Sequence, residues 1–129
     1  MASVEAHMSR DLVTAVEDER LGAAAARMAE RLVGAALVLD GERLVGILTE
    51  RDVLNAVAAG GVETALVSHW MTRRPETIEP GDTIDEAAVL MIHGGFRHLP
   101  VVDGAAIVGV LSIRDLVRVA LVDSAPRGA

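Results

Sequence analysis

Apolar positions along the chain fall into two matching blocks. Leu21, Ala24, Ala25 and Met28 in one, and Ile84, Ala87, Ala88 and Met91 in the other, recur at i, i+3, i+4, i+7. That spacing lines one face of an α-helix. Behind each helix come two apolar runs around an Asp-Gly pair. They are Ala35 to Leu39 and Leu44 to Leu48 about Asp40-Gly41, then Leu99 to Val102 and Ile107 to Leu111 about Asp103-Gly104. Apolar runs flanking Asp-Gly predict a β-hairpin. A short strand is expected ahead of each helix, at Val13-Thr14-Ala15-Val16 and at Glu76-Thr77-Ile78. Thr49 and Ser112 open a last helix in each block, and Thr83-Ile84-Asp85-Glu86 has the spacing of a capping box. The predicted unit is β-α-β-β-α, twice.

The two blocks are copies. Gly46-Ile47-Leu48-Thr49-Glu50-Arg51-Asp52 recurs 63 residues later as Gly109-Val110-Leu111-Ser112-Ile113-Arg114-Asp115. At that offset 14 of the 50 residues from Met8 to Val57 are identical, with no gap. Gly60-Gly61-Val62-Glu63-Thr64 reads as the linker. The expected organisation is one motif over residues 1–60 and a second over 61–129. Units this short bury little alone, so the copies are expected to pack as one pseudo-twofold pair. In the final helix Leu116, Val117, Val119, Ala120, Leu121 and Val122 place apolar side chains almost all round. One side suits its own sheet; the other suits a second subunit, which predicts a homodimer.

Composition narrows the chemistry. The 129 residues amount to about one domain's worth of chain, 51% hydrophobic and 24% charged. The net charge of −7, with no long basic run, speaks against a duplex nucleic-acid partner. There is no cysteine, hence no disulfide or thiolate chemistry, and no lysine, hence no Schiff base and no P-loop lysine. Met1 to Asp11 lacks the apolar core of a secretory signal, and no apolar run reaches membrane-spanning length. The expected location is the cytoplasm, with no membrane partner.

The order β-α-β-β-α, the Asp-Gly hairpin, and a Gly-apolar-apolar-Thr/Ser-x-x-Asp run opening the last helix resemble a CBS-domain pair, or Bateman module. Arg97-His98-Leu99-Pro100-Val101-Val102-Asp103 resembles that family's second-strand segment, and Val67-Ser68-His69-Trp70-Met71-Thr72 the lead-in to its second motif. The resemblance runs from about Met8 to Val122. It implies an α/β fold of two tandem CBS motifs. It also implies a regulatory adenosine-containing ligand, such as AMP, ADP, ATP or S-adenosylmethionine, in a cleft between the motifs, with no cofactor required. By motif match the ligand-binding residues are Thr49 with Asp52 and Ser112 with Asp115, while Thr14 and Thr77 line the base pocket and His98 lies on its strand. Both copies keep both residues, so the resemblance allows one or two occupied sites per chain.

Each of these residues also has a plainer reading. Thr49-x-x-Asp52 and Ser112-x-x-Asp115 are capping boxes by spacing alone. The two readings coexist, because an N-cap hydroxyl sits beside free N–H groups and the positive end of the helix dipole. Arg51 and Arg114 are either solvated charges or phosphate contacts; Arg73, Arg74 and Arg97 are similar candidates. His7, His69, His93 and His98 lack metal-ligand spacing. Met28 and Met91 belong to helix cores, and Trp70 and Phe96 suit packing better than base stacking. Neither a nucleophile-base arrangement nor a metal motif is recognisable, so no catalysis is expected. The sequence therefore points to an adenosyl-ligand sensor that signals to an unidentified protein partner. The alternative is a ligand-free scaffold whose apolar helices bind a partner and whose boxes are only caps.

Overall fold

The computed structural model describes residues 2–124. In chain order the elements are α1 (Val4–His7), β1 (Thr14–Ala15), α2 (Leu21–Arg31), β2 (Ala35–Asp40), β3 (Arg43–Thr49) and α3 (Glu50–Ala59). A single 3-10 turn (Val62–Thr64) follows, then α4 (Val67–Trp70), β4 (Thr72–Arg73), α5 (Ile84–Gly94), β5 (His98–Asp103), β6 (Ala106–Ser112) and α6 (Ile113–Ser124). Both hairpins turn on glycines with positive φ, Gly41 at 64° and Gly104 at 62°, which is why Asp-Gly sits there. The linker also uses two glycines with positive φ, Gly60 and Gly61, before the 3-10 turn.

The chain forms two compact units that do not follow its halves. One is Asp11–Pro75; the other joins the residues up to Arg10 with those from Glu76 on. In the Asp11–Pro75 unit the sheet runs β1-β2-β3-β4, with β1 parallel to β2 and the other pairs antiparallel. Ala15, Ala36, Val38 and Leu48 point from this sheet into a core shared with Leu21, Ala24 and Met28 of α2. Thr14, Leu37 and Ile47, in register across three strands, share the opposite face with Ala35 and Thr49. Arg27 of α2 ties the β1 end to the loop behind it. Its Nη2 donates to the Thr14 carbonyl at 2.8 Å and to Glu19 Oε1 at 2.6 Å. The Glu19 hydrogen bond, opposed in part by burial, raises the Arg27 pKa above its ordinary value.

In the other unit β5 and β6 pair antiparallel over a core of Leu99, Val101 and Leu111 with Ile84, Ala87 and Met91 of α5. Val4 of α1 is fully buried in that core. The strand expected at Glu76-Thr77-Ile78 is reduced to one parallel bridge, Ile78 to Val101. Proline is the cause. In the first copy the Leu37 N–H donates to the Val13 carbonyl at 2.9 Å. Leu37 corresponds to Pro100, which has no N–H to give Glu76. The remaining bonds of that ladder survive, Ile78 N–H to Pro100 O at 3.0 Å and Val102 N–H to Ile78 O at 2.9 Å.

Three short elements, α1, α4 and β4, lie outside the predicted pattern. They are the lead-in segments of the two copies, and each docks on the hairpin of the other copy. Ser9 pairs with Val110 of β6, and Thr72–Arg73 pairs with Gly46 and Ile47 of β3. Met28 and Met91 are core residues as expected. Trp70 packs against the first core and Phe96 against the second.

Candidate functional site

Each β-strand that leaves a hairpin runs straight into the last helix of its copy, and the junction is a closed capping box. In the first, the Thr49 N–H and hydroxyl donate to Asp52 Oδ2 at 2.8 and 3.0 Å, and the Asp52 N–H donates to Thr49 Oγ1 at 3.3 Å. In the second, Ser112 and Asp115 repeat those bonds at 2.8, 3.1 and 3.3 Å. A helix start leaves four N–H groups without helical partners. The box takes two of them. A third, on Glu50, donates to the Gly34 carbonyl at 3.0 Å, and its counterpart on Ile113 to the Arg97 carbonyl at 2.8 Å. Among the described residues that leaves the amides of Arg51 and Arg114, each in the positive end of a helix dipole and each on an exposed arginine.

The two carboxylates differ in their second oxygen. The bonds to Asp52 come from Thr49 and involve Oδ2. Asp115 is buried, and its Oδ1 also accepts from Arg118 Nη1 at 3.2 Å. Arg118 is absent from the sequence-derived candidates. The Asp-x-x-Arg spacing on one helix face was the signal that could have found it.

The other sequence-predicted residues divide between the two units. Thr14 is exposed on β1, on the sheet face that also carries Thr49. β1 and β3 flank β2, so the two threonines stand about 12 Å apart by strand spacing and rise. In the other unit His98 is half-buried and directly opposite Ser112 in the β5–β6 register, where the first copy has Ala35 opposite Thr49. Thr77 is exposed on the segment ending at the Ile78 bridge. Arg114 is exposed beside Asp115. Among the phosphate candidates, Arg73 is engaged by Glu17 at 2.7 Å, while Arg51, Arg74 and Arg97 are exposed. His69 has a local duty: its Nδ1 accepts from the Leu66 N–H at 3.2 Å at the start of α4.

A helix start bearing a hydroxyl, a carboxylate and an unused amide can bind a vicinal diol through the carboxylate and an anion through the amide and the neighbouring guanidinium. Among the described residues no helix is long and apolar enough to cross a membrane.

The sequence pattern of the CBS domain matches residues 3–59 and again residues 67–122. An uncharacterised 17.7 kDa protein of Acidianus ambivalens is 35% identical over 100 residues, covering 76% of this chain and 60% of that protein. Across the first curated relatives the chain spans from 17% to 60% of their length. The CBS-domain protein ATU1752 of Agrobacterium tumefaciens superposes with a TM-score of 0.86 at 33% identity, over 92% of this chain and 99% of that one. Two structures solved with ligands share the fold at 24% identity. The pair of MJ0100, in complex with 5′-methylthioadenosine and S-adenosyl-L-methionine, has a TM-score of 0.89 over 96% of this chain and 99% of its own. CBSX2, in complex with AMP, has a TM-score of 0.79 over 97% of this chain and 100% of its own. With the family pattern matched twice and a helix-hairpin-helix succession built in each copy, the chain belongs to the CBS-domain family, as a tandem pair.

Proposed function

We propose that this CBS pair is a non-catalytic regulatory module that binds an adenosine-containing ligand at its two helix-start boxes. The observation that carries the reading is the repeated geometry of Thr49 with Asp52 and Ser112 with Asp115, each beside an unused helix-start amide and an arginine. The carboxylates are assigned to ribose hydroxyls. The amides of Arg51 and Arg114, with their guanidinium groups, are assigned to phosphate when the ligand carries one. Thr14, Thr77 and His98 are assigned to the base. AMP, ADP, ATP and S-adenosylmethionine are the ligand class; the complexes of MJ0100 and CBSX2 support that choice. Binding favours one conformational population, and a protein partner reads the result. In this reading the module works as a homodimer in the cytoplasm, each repeat copy, 1–60 and 61–129, supplying one box.

The competing reading is a ligand-free scaffold, and the exposed apolar residues Val117, Leu121 and Val122 on α6 are the observation in its favour. A thermal-shift screen of AMP, ADP, ATP and S-adenosylmethionine separates the two. A ligand that binds only the folded state, at about 100 times its Kd, stabilises by about 2.7 kcal/mol, a rise of several degrees for a chain this size. No shift with any of the four at millimolar concentration overturns the sensor and leaves the scaffold.

A further inference from the structure

The two boxes make the same bonds to their helices and differ in what holds the outer carboxylate oxygen. Arg118 lies one helical turn beyond Asp115 and donates to its Oδ1 at 3.2 Å. The corresponding residue of the first copy is Asn55, and the hydrogen bonds of Asp52 all run to Thr49 among the described residues. Local charge differs as well. The first helix start carries Glu50, Arg51 and Asp52, and the second carries Arg114, Asp115 and Arg118 with Ile113 in place of the glutamate.

We propose that Arg118 is a selectivity residue: it occupies Asp115 Oδ1 in the free protein, so the Asp52 box takes an adenosyl ligand first and the Asp115 box takes it second and more weakly. This rests on the reading of both aspartates as ribose acceptors. A ribose hydroxyl reaching Asp52 meets an oxygen that no neighbouring side chain holds. At Asp115 it must displace a charge-assisted hydrogen bond before forming its own. The displaced pair is not strong, because the Arg118 side chain is 67% exposed and solvent screens it. The expected handicap is therefore modest, up to about fivefold in Kd, the range of an exposed ion pair converted at about 1.4 kcal/mol per tenfold.

Calorimetric titration of the whole chain with AMP, and separately with 5′-methylthioadenosine, tests this. The wild type should show two unequal sites. Arg118→Asn, which gives the second copy the side-chain type of the first, should tighten the weaker site by up to about fivefold. Asn55→Arg should loosen the stronger one by a similar factor. Both substitutions fall on exposed positions outside the boxes, so the folded state is kept for the comparison. If Arg118→Asn leaves the weaker site unchanged, the inference is overturned. If it weakens AMP alone, Arg118 is a phosphate donor and the inference is overturned in that way. A wild type that binds neither probe overturns the functional reading itself, and this inference with it.

Discussion

The sulfur of Met8 rests where a side chain on Gly109 would have to go. A β-carbon built on Gly109 would stand 2.6 Å from Met8 Sδ and 2.9 Å from the Ser9 carbonyl oxygen. Gly46 has the same relation to the other copy: its β-carbon would be 2.9 Å from Met71 Sδ and 2.9 Å from the Thr72 carbonyl oxygen. Met8 and Met71 are repeat equivalents, and so are Gly46 and Gly109. The exchange of lead-in segments is therefore reciprocal, each methionine covering a glycine of the opposite copy's hairpin.

Gly109→Ala should cost about 1–3 kcal/mol, the range for forcing extra volume into a packed position. Neither glycine has a positive φ, so the backbone accepts alanine and the effect is steric. Replacing Met8 by a smaller residue relieves the sulfur contact and leaves the Ser9 carbonyl in place, so rescue should be partial. Urea denaturation measures both. An unchanged midpoint for Gly109→Ala would mean the lead-in segment yields freely.

Asp52→Ala and Asp115→Ala should each lower ligand-free stability by about 0.5–2 kcal/mol, because each removes a closed cap. If the carboxylates also hold ribose, affinity falls by about ten- to a hundredfold, the loss of one charged hydrogen bond. Melting curves with and without ligand separate the two effects. Variants that melt lower and keep the full ligand-induced shift would reduce both boxes to caps.

Leu32 ends α2 with φ 55° and ψ 41° and is 85% exposed. Its counterpart Gly95 ends α5 at φ 71°. A left-handed leucine is strained by roughly 1–2 kcal/mol, part of which glycine returns as unfolded-state entropy. Leu32→Gly should raise stability by about 0.5–1 kcal/mol. A lower melting temperature would show that the leucine makes a contact worth more than its strain.

Light scattering at micromolar concentration should give twice the chain mass. Leu116 of α6 is buried while Val117, Leu121 and Val122 are exposed on the same helix, an apolar surface suited to a second copy. Leu121→Glu should shift the mass to that of one chain. A wild type that is already a single chain at these concentrations would rule out the interface.

Much of the fold is legible from spacing. The i, i+3, i+4, i+7 positions of Leu21 to Met28 and Ile84 to Met91 became the buried faces of α2 and α5, and both Asp-Gly turns became hairpins. The boxes were equally readable, because Thr49 with Asp52 and Ser112 with Asp115 interact within one helical turn. What spacing does not carry is long-range. The two-residue strand β4 has no period to detect. The loss of the strand at Glu76 depends on Pro100, its neighbour only in the folded chain. The docking of Ser9 on Val110 joins residues 101 positions apart, which no local pattern announces.

The exchange of lead-in segments has a consequence for synthesis. As the chain leaves the ribosome, residues 11–75 form a unit whose parts are all close in sequence, and it can close early. Residues 2–10 precede it yet complete a unit whose remainder begins at Glu76. They must wait, unpaired, until the chain beyond Glu76 has emerged, and so find their place after residues 11–75 have found theirs. Protease probing of stalled chains of increasing length should show protection of residues 11–75 well before protection of residues 2–10.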